Sequence, residues 1–145
     1  MIHRMTAAVL SLIGFFVSAY LYLYKIGRIG ALACGTGGCE TVQQSPWSRF
    51  AGVEVSLIGL VGYAGLLAVS LAALQPAVAE RWWPARLLAI LAGLGLGFTA
   101  YLTYLELFVI HATCRWCVGS AVIIVSIFIV SLLELLRQRR STHPQ

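Results

Sequence analysis

Charged side chains are scarce in this sequence: five acidic and ten basic residues among 145, or 10%, against 60% apolar and a mean hydropathy of +0.89. A soluble globular domain is nearer a quarter charged and half apolar, so the composition excludes that class and indicates a membrane protein. Linkers, low-complexity stretches and internal repeats are also missing, and the length suits one membrane domain, residues 1–145, rather than a membrane domain plus a soluble one. Val118 follows Cys117, so there is no C-x-x-C-H, and no G-x-G-x-x-G follows a strand; covalent haem and a dinucleotide-binding unit are excluded. The net charge of +5 reads as arginines that fix membrane orientation, so no nucleic-acid partner is expected.

What the chain does have is four long apolar runs. Crossing about 30 Å of hydrocarbon at about 1.5 Å per residue takes roughly 20 apolar residues. Residues 5–24, 53–74, 87–110 and 114–136 qualify. Each is too long for a buried strand, and open sheet edges cannot exist in lipid. The expected fold is therefore an all-α integral membrane protein, a bundle of four transmembrane helices with an outer loop at 25–52. Within that loop "SPWSRF" reads as a short half-helix, with Ser45 as N-cap and Pro46 at the first helical position. Trp47 and Phe50 would make it an amphipathic lid on the bundle mouth. A cleaved leader ending at "ALA", 31–33, does not fit: the first run is too long, and Lys25 and Arg28 precede the supposed site. The tail "RQRRSTHPQ" reads as a frayed, solvated end.

Four spans put both termini and the 75–86 loop on one side. That side carries Arg4, Arg81, Arg86, Arg137, Arg139 and Arg140, against Lys25, Arg28, Arg49 and Arg115 on the other. The excess favours cytoplasmic termini in a cell (inner) membrane protein. Trp82 and Trp83 then mark the inner interface, and Trp47 and Trp116 the outer one. Cys34, Cys39, Cys114 and Cys117 all fall on the outer, periplasmic or extracytoplasmic face, where disulfides form and persist. The count is even and there is no fifth cysteine, as paired thiols require.

Cys114 and Cys117 form a C-x-x-C at the start of the fourth span. Residues three apart share a helix face, with Cβ atoms about 5–6 Å apart, close enough to bridge after a small adjustment. Such a bridge would constrain almost nothing, so its purpose is chemical rather than structural. Unpaired N–H groups of the first helical turn favour thiolate, and Arg115 would add a cation. Cys117 lies about 4.5 Å deeper along the axis than Cys114. Cys114 is thus expected to face the aqueous loop, and Cys117 a lipid-soluble partner. Cys34 and Cys39 sit among Gly35, Gly37 and Gly38 in a segment expected to swing, so that Cys39 can attack the Cys114–Cys117 bridge while the Cys34–Cys39 bridge oxidises a soluble thiol protein. No further thiol remains as acceptor. A two-electron carrier dissolved in the bilayer, a quinone, fits best.

Together "CGTGGCETVQQSPWSRFAGVEVSLIGLVGY" and "YLTYLELFVIHATCRWCVGSA" resemble bacterial members of the vitamin K epoxide reductase family, from the first helix to the fourth. The specific element is the order: a loop cysteine pair, a serine near the start of the second helix, then C-x-x-C opening the last. Other four-helix, quinone-linked thiol oxidases carry their C-x-x-C in the first outer loop. The resemblance implies a four-helix bundle around a quinone, ubiquinone or menaquinone. It makes Cys117 the quinone-side thiol, Cys114 its partner, Cys39 the internal shuttle and Cys34 the outward one. It also implies electrons drawn from a thioredoxin-fold disulfide oxidase. The chain ends nine residues after the last expected span, so that partner is expected to be a separate protein.

Several residues carry two readings. Ser56, near the start of the second helix, either bonds a quinone carbonyl or bonds the preceding helical turn. Glu106, inside the third span, either handles protons during quinone reduction or reaches headgroups. Tyr101 and Tyr104 either line the ring site or serve as belt anchors, and His111 is either a proton relay or a solvated turn residue. Glu40, beside Cys39, would disfavour that thiolate. Gly59, Gly62 and Gly65, with Gly93 and Gly97, suit close helix packing, with a cofactor niche as the lesser reading. The expected activity is a quinone-dependent thiol oxidase. Quinol-driven disulfide reduction, metal binding by the four cysteines, and a purely structural disulfide protein are the alternatives.

Overall fold

The computed structural model describes residues 2–30 and 38–142. Its elements are α1 (Ile2–Lys25), α2 (Gly38–Gln44), a 3-10 turn (Pro46–Ser48), a two-residue hairpin of β1 (Arg49–Phe50) and β2 (Val53–Glu54), α3 (Val55–Leu74), α4 (Pro76–Ala79), α5 (Trp83–Tyr104) and α6 (Arg115–Thr142). Residues Leu105–Ile110 continue α5 as a π-helical segment. Among the described residues four helices, Ile2–Lys25, Val55–Leu74, Trp83–Ile110 and Arg115–Ser141, are long and apolar enough to cross a membrane. The four-helix membrane bundle expected from the hydropathy is the observed architecture.

The boundaries differ for local reasons. Pro84 fits the first turn of a helix, where its missing N–H costs nothing, so α5 starts at Trp83 instead of 87. The charged tail is not frayed at 137, since α6 runs on to Thr142. The outer half-helix exists, but one segment earlier than expected. "GCETVQQ" forms α2, with Glu40 in its first turn, where an anion is favourable. "PWS" makes only a 3-10 turn, because Ser45 spends its hydroxyl on the Val42 carbonyl, at 2.7 Å, instead of capping forward. Ala51 and Gly52, both at positive φ, then reverse the chain between β1 and β2. Phe50 packs edge-on against Phe98 and Tyr101 of α5, at 5.5 and 6.1 Å.

Small residues let the helices approach. Ala7, Ser11, Gly14 and Ser18 form the buried stripe of α1. Gly14 is backed by the Tyr63 ring so closely that any Cβ would overlap it. Tyr63 then reaches α6, its hydroxyl lying 3.0 Å from the Ser120 carbonyl and 2.8 Å from Ser120 Oγ. Below this junction Tyr63, Leu66, Leu88, Ala92, Ile124 and Ile127 form the main apolar core.

At the end holding the termini, Arg4 joins three helices. Its Nε lies 3.1 Å from a Glu134 carboxylate oxygen, and its Nη1 donates to the Ala73 carbonyl at 2.8 Å. Both side chains are largely buried, and His3 adds a 3.3 Å contact to Glu134. Removing one member of a buried pair strands the other charge, at a cost of about 3–5 kcal/mol. Glu134→Leu alone should therefore lower the unfolding midpoint in detergent more than the Arg4→Met/Glu134→Leu double variant does; equal loss in both would show that the pair does not act as a unit.

Candidate active site

Cys114 is the residue from which α6 starts, its carbonyl accepting the first helical bond from Val118 N–H at 3.0 Å. The two C-x-x-C cysteines are free thiols, whereas Cys39 is disulfide-bonded; Cys34, its expected companion in the loop pair, lies outside the described residues, as do Gly35 and Gly37. Cys39 does not sit on a swinging glycine-rich segment. It is carried by α2, and it packs with Leu21, Val42 and Cys114 into one buried cluster in which both sulfur-bearing residues have no exposed surface.

That seating depends on Gly38. A Cβ there would collide with the Thr113 carbonyl oxygen, so only glycine lets the start of α2 lie this close to the chain entering the C-x-x-C. The expected exposure of Cys114 to water is therefore corrected: the thiol is sealed beneath α2. The Cys117 thiol, hydrogen-bonded to the Cys114 sulfur, holds Cys114 below the usual thiol range; the N–H groups of Cys117 and Trp116 act in the same sense, against burial and the Glu106 carboxylate. Arg115 is exposed and is not among the groups acting on Cys114, contrary to the expectation that its charge would help.

Cys117 faces a different environment. It lines a cavity of about 370 Å³ enclosed by α1, α3, α5 and α6 and roofed by Gln43 of α2. Ser56, Tyr63, Glu106 and Ser120 supply polar groups to otherwise apolar walls, the composition expected of a small-molecule site. Gly62 of α3 and Leu94 of α5 line the cavity and are both exposed, so the cavity is not closed between these two helices. A cavity of about 30 Å³ below the 3-10 turn also touches Gln43, Glu106 and Cys117.

Ser56 is buried, and its Oγ finds no hydrogen-bond partner among the described residues; the bond to the preceding turn is not made. Glu106 does not reach headgroups. It is 5% exposed, accepts the Cys114 N–H at 3.4 Å and is hydrogen-bonded to the Cys117 thiol. The π-helical segment aims it there, closing on a backbone bond from Ala112 to the Glu106 carbonyl, 3.1 Å, with His111 in the left-handed conformation as the helix stops. His111 is exposed on this turn and does not line the cavity. Tyr101 and Tyr104 are not brought to it either; they lie on the outer surface, Tyr101 against Phe50 and Tyr104 against Phe108. Trp116 packs against Tyr20 with the rings tilted, their centroids 5.0 Å apart.

A dithiol at a helix start with its first cysteine buried, a disulfide-bonded cysteine seated beside it, and an apolar cavity reaching its deeper sulfur form one continuous arrangement. The vitamin K epoxide reductase family model matches residues 5–132. The chain belongs to this family. It is accordingly a multi-pass membrane oxidoreductase, and its family acts on thiols and quinones, drawing on a thiol redox partner and the membrane quinone pool.

Sequence reasoning passed over Gln43 and Tyr63. Tyr63 fell in an apolar run without a motif, and only the glycine opposite it hints at a ring crossing between helices. Gln43 had a signal: with Cys39 and Val42 it shares one face of a seven-residue helix, and an amide on a face otherwise buried needs a reason.

Because Gly38 sets the approach of α2 to Thr113, Gly38→Val should separate Cys39 from Cys114. Transfer from the reduced loop pair to the C-x-x-C, followed by quenching and mass mapping, is expected to slow by at least about tenfold, one decade being 1.4 kcal/mol. Unchanged transfer would mean that the close approach is not needed.

Proposed function

We propose that this protein is a quinone-dependent thiol oxidase that restores the oxidising capacity of a thioredoxin-fold protein outside the cytoplasm. The observation that carries the reading is the pairing of Cys39 with Cys114 in one buried cluster while Cys117 opens on the apolar cavity. The partner's dithiol reduces the Cys34–Cys39 bridge, Cys34 outward. Cys39 then attacks Cys114, the Cys114–Cys117 bond breaks, and Cys34 displaces Cys114 to re-form the loop bridge. A free C-x-x-C dithiol together with a disulfide-bonded Cys39 corresponds to the state just after this exchange.

The residues around Cys117 suit a quinone. The orphaned Ser56 hydroxyl offers a hydrogen bond to a ring carbonyl, and the gap past Gly62 and Leu94 gives a lipid-soluble molecule lateral access. When bound, a quinone supplies acceptance of two electrons and two protons. Ubiquinone and menaquinone both meet these requirements. Glu106, already bonded to the Cys117 thiol, takes its proton as the C-x-x-C bridge re-forms. The arginines at the end holding the termini orient that end to the cytoplasm, leaving the four cysteines on the extracytoplasmic face.

Anaerobic mixing of purified protein, a reduced thioredoxin-fold dithiol and quinone tests the reading. Loss of quinone absorbance is expected to require each of the four cysteines, and a fully active Cys117→Ser variant would overturn it. Glu106→Gln should retain folding and lower turnover by about a hundredfold, the lower range for a lost acid–base group. In cells lacking the protein the thiol partner should accumulate reduced; a shift to the oxidised form would mean that electrons run the other way.

A further inference from the structure

Gln43 is an amide on the buried face of α2, 6% exposed, on the helix that also carries Cys39. Burying a carboxamide is costly unless it is hydrogen-bonded, and its Nε2 donates to the Cys117 sulfur at 3.8 Å. The Cys117 thiol is also hydrogen-bonded to the Glu106 carboxylate, so the amide and the carboxylate converge on one sulfur. Opening the C-x-x-C bridge by attack on Cys114 forms the Cys39–Cys114 bond and breaks the Cys114–Cys117 bond. The electron pair of the broken bond stays on Cys117 as a thiolate, and the rate of such exchange rises as the leaving thiolate is stabilised. We infer that Gln43 is a further catalytic residue whose carboxamide stabilises the departing Cys117 thiolate. The inference rests on the reading of Cys117 as the cavity-side sulfur of a thiol relay.

Lys25 is the positioning residue for this amide. Its ammonium, at the end of α1, donates to the Gln43 carbonyl and to Ser48 Oγ at 2.7 Å, and lies 3.6 Å from the Glu54 carboxylate, which Arg49 holds at 2.8 Å. One cation thereby fixes the last turn of α2, where carbonyls lack helical partners, to the 3-10 turn and the start of α3. The helix that delivers Cys39 to Cys114 therefore also delivers the donor to the leaving sulfur.

The test uses the full chain in detergent. In a Cys114→Ala background, where Cys117 is the free thiol of the motif, its thiolate is followed by ultraviolet absorbance against pH. Gln43→Met is expected to move this titration to higher pH by about one unit, and to slow single-turnover opening of the bridge in the Cys114-containing protein by about tenfold, the low end for a hydrogen bond to a charged group. Gln43→Asn withdraws the donor by one methylene and should shift the titration in the same direction, as should Lys25→Met; Lys25→Arg should restore it. A Cys117 titration unmoved by Gln43→Met, Gln43→Asn and Lys25→Met overturns the inference, even if quinone turnover by the parent protein is normal. A shifted titration in the Cys114→Ala background, together with no quinone turnover by the parent protein with all four cysteines, would instead support the role of Gln43 at the sulfur and overturn the oxidase reading.

Discussion

The contact between the start of α2 and the Thr113 carbonyl governs the outer half of the molecule. Because Gly38 has no Cβ, a short helix can lie directly on the chain that becomes the C-x-x-C turn. Cys39, Val42 and Gln43 then occupy the positions above Cys114 and Cys117. Withdraw α2 and three things change together: Cys114 meets water, Cys39 loses its neighbour, and the cavity loses its roof. Lys25 holds the far end of the same helix, so a seven-residue element is fixed at both ends without a long apolar face of its own.

The electrostatics of the site follow from where each group stands relative to lipid. The Cys114 sulfur shares the N–H groups of a helix start and the hydrogen of its neighbour, which together favour its anionic form. The Cys117 sulfur stands one turn deeper, between a carboxylate on a π-helical turn and the Gln43 amide. Two cysteines of one motif are thus differentiated by about a turn of helix and by the walls each of them meets. Nothing in their own chemistry separates them.

Hydropathy made the four spans legible because each must be apolar along its whole length, and the cysteine order was legible because connectivity alone puts both pairs at one end. What escaped notice depended on close approach rather than on period. Residues 38–44 look like a glycine-led loop until the Thr113 contact supplies a surface for them, and "PWS", with its strong start signals, stops after one 3-10 turn because Ser45 bonds backward. The depth of Glu106 was readable; its bond to the Cys114 N–H was not, since a π turn adds a residue to the helix and rotates everything after it. Tyr101 and Tyr104, placed at the ring site by depth alone, lie on the outer surface because depth does not specify a helix face.

The Tyr63–Ser120 bond divides the bundle at mid-height. Below it lie most of the apolar core and the Arg4–Glu134 tie that joins three helices; above it lie the cysteines, and the cavity reaches from Cys117 down to Leu66 and Ile124. Tyr63, Leu66 and Ile124 belong both to the core and to the cavity wall, so frame and chamber share residues where they meet. Ile58 and Leu102 line the chamber but stand outside that core, so evolution can resize the chamber at these two walls while the frame is inherited intact.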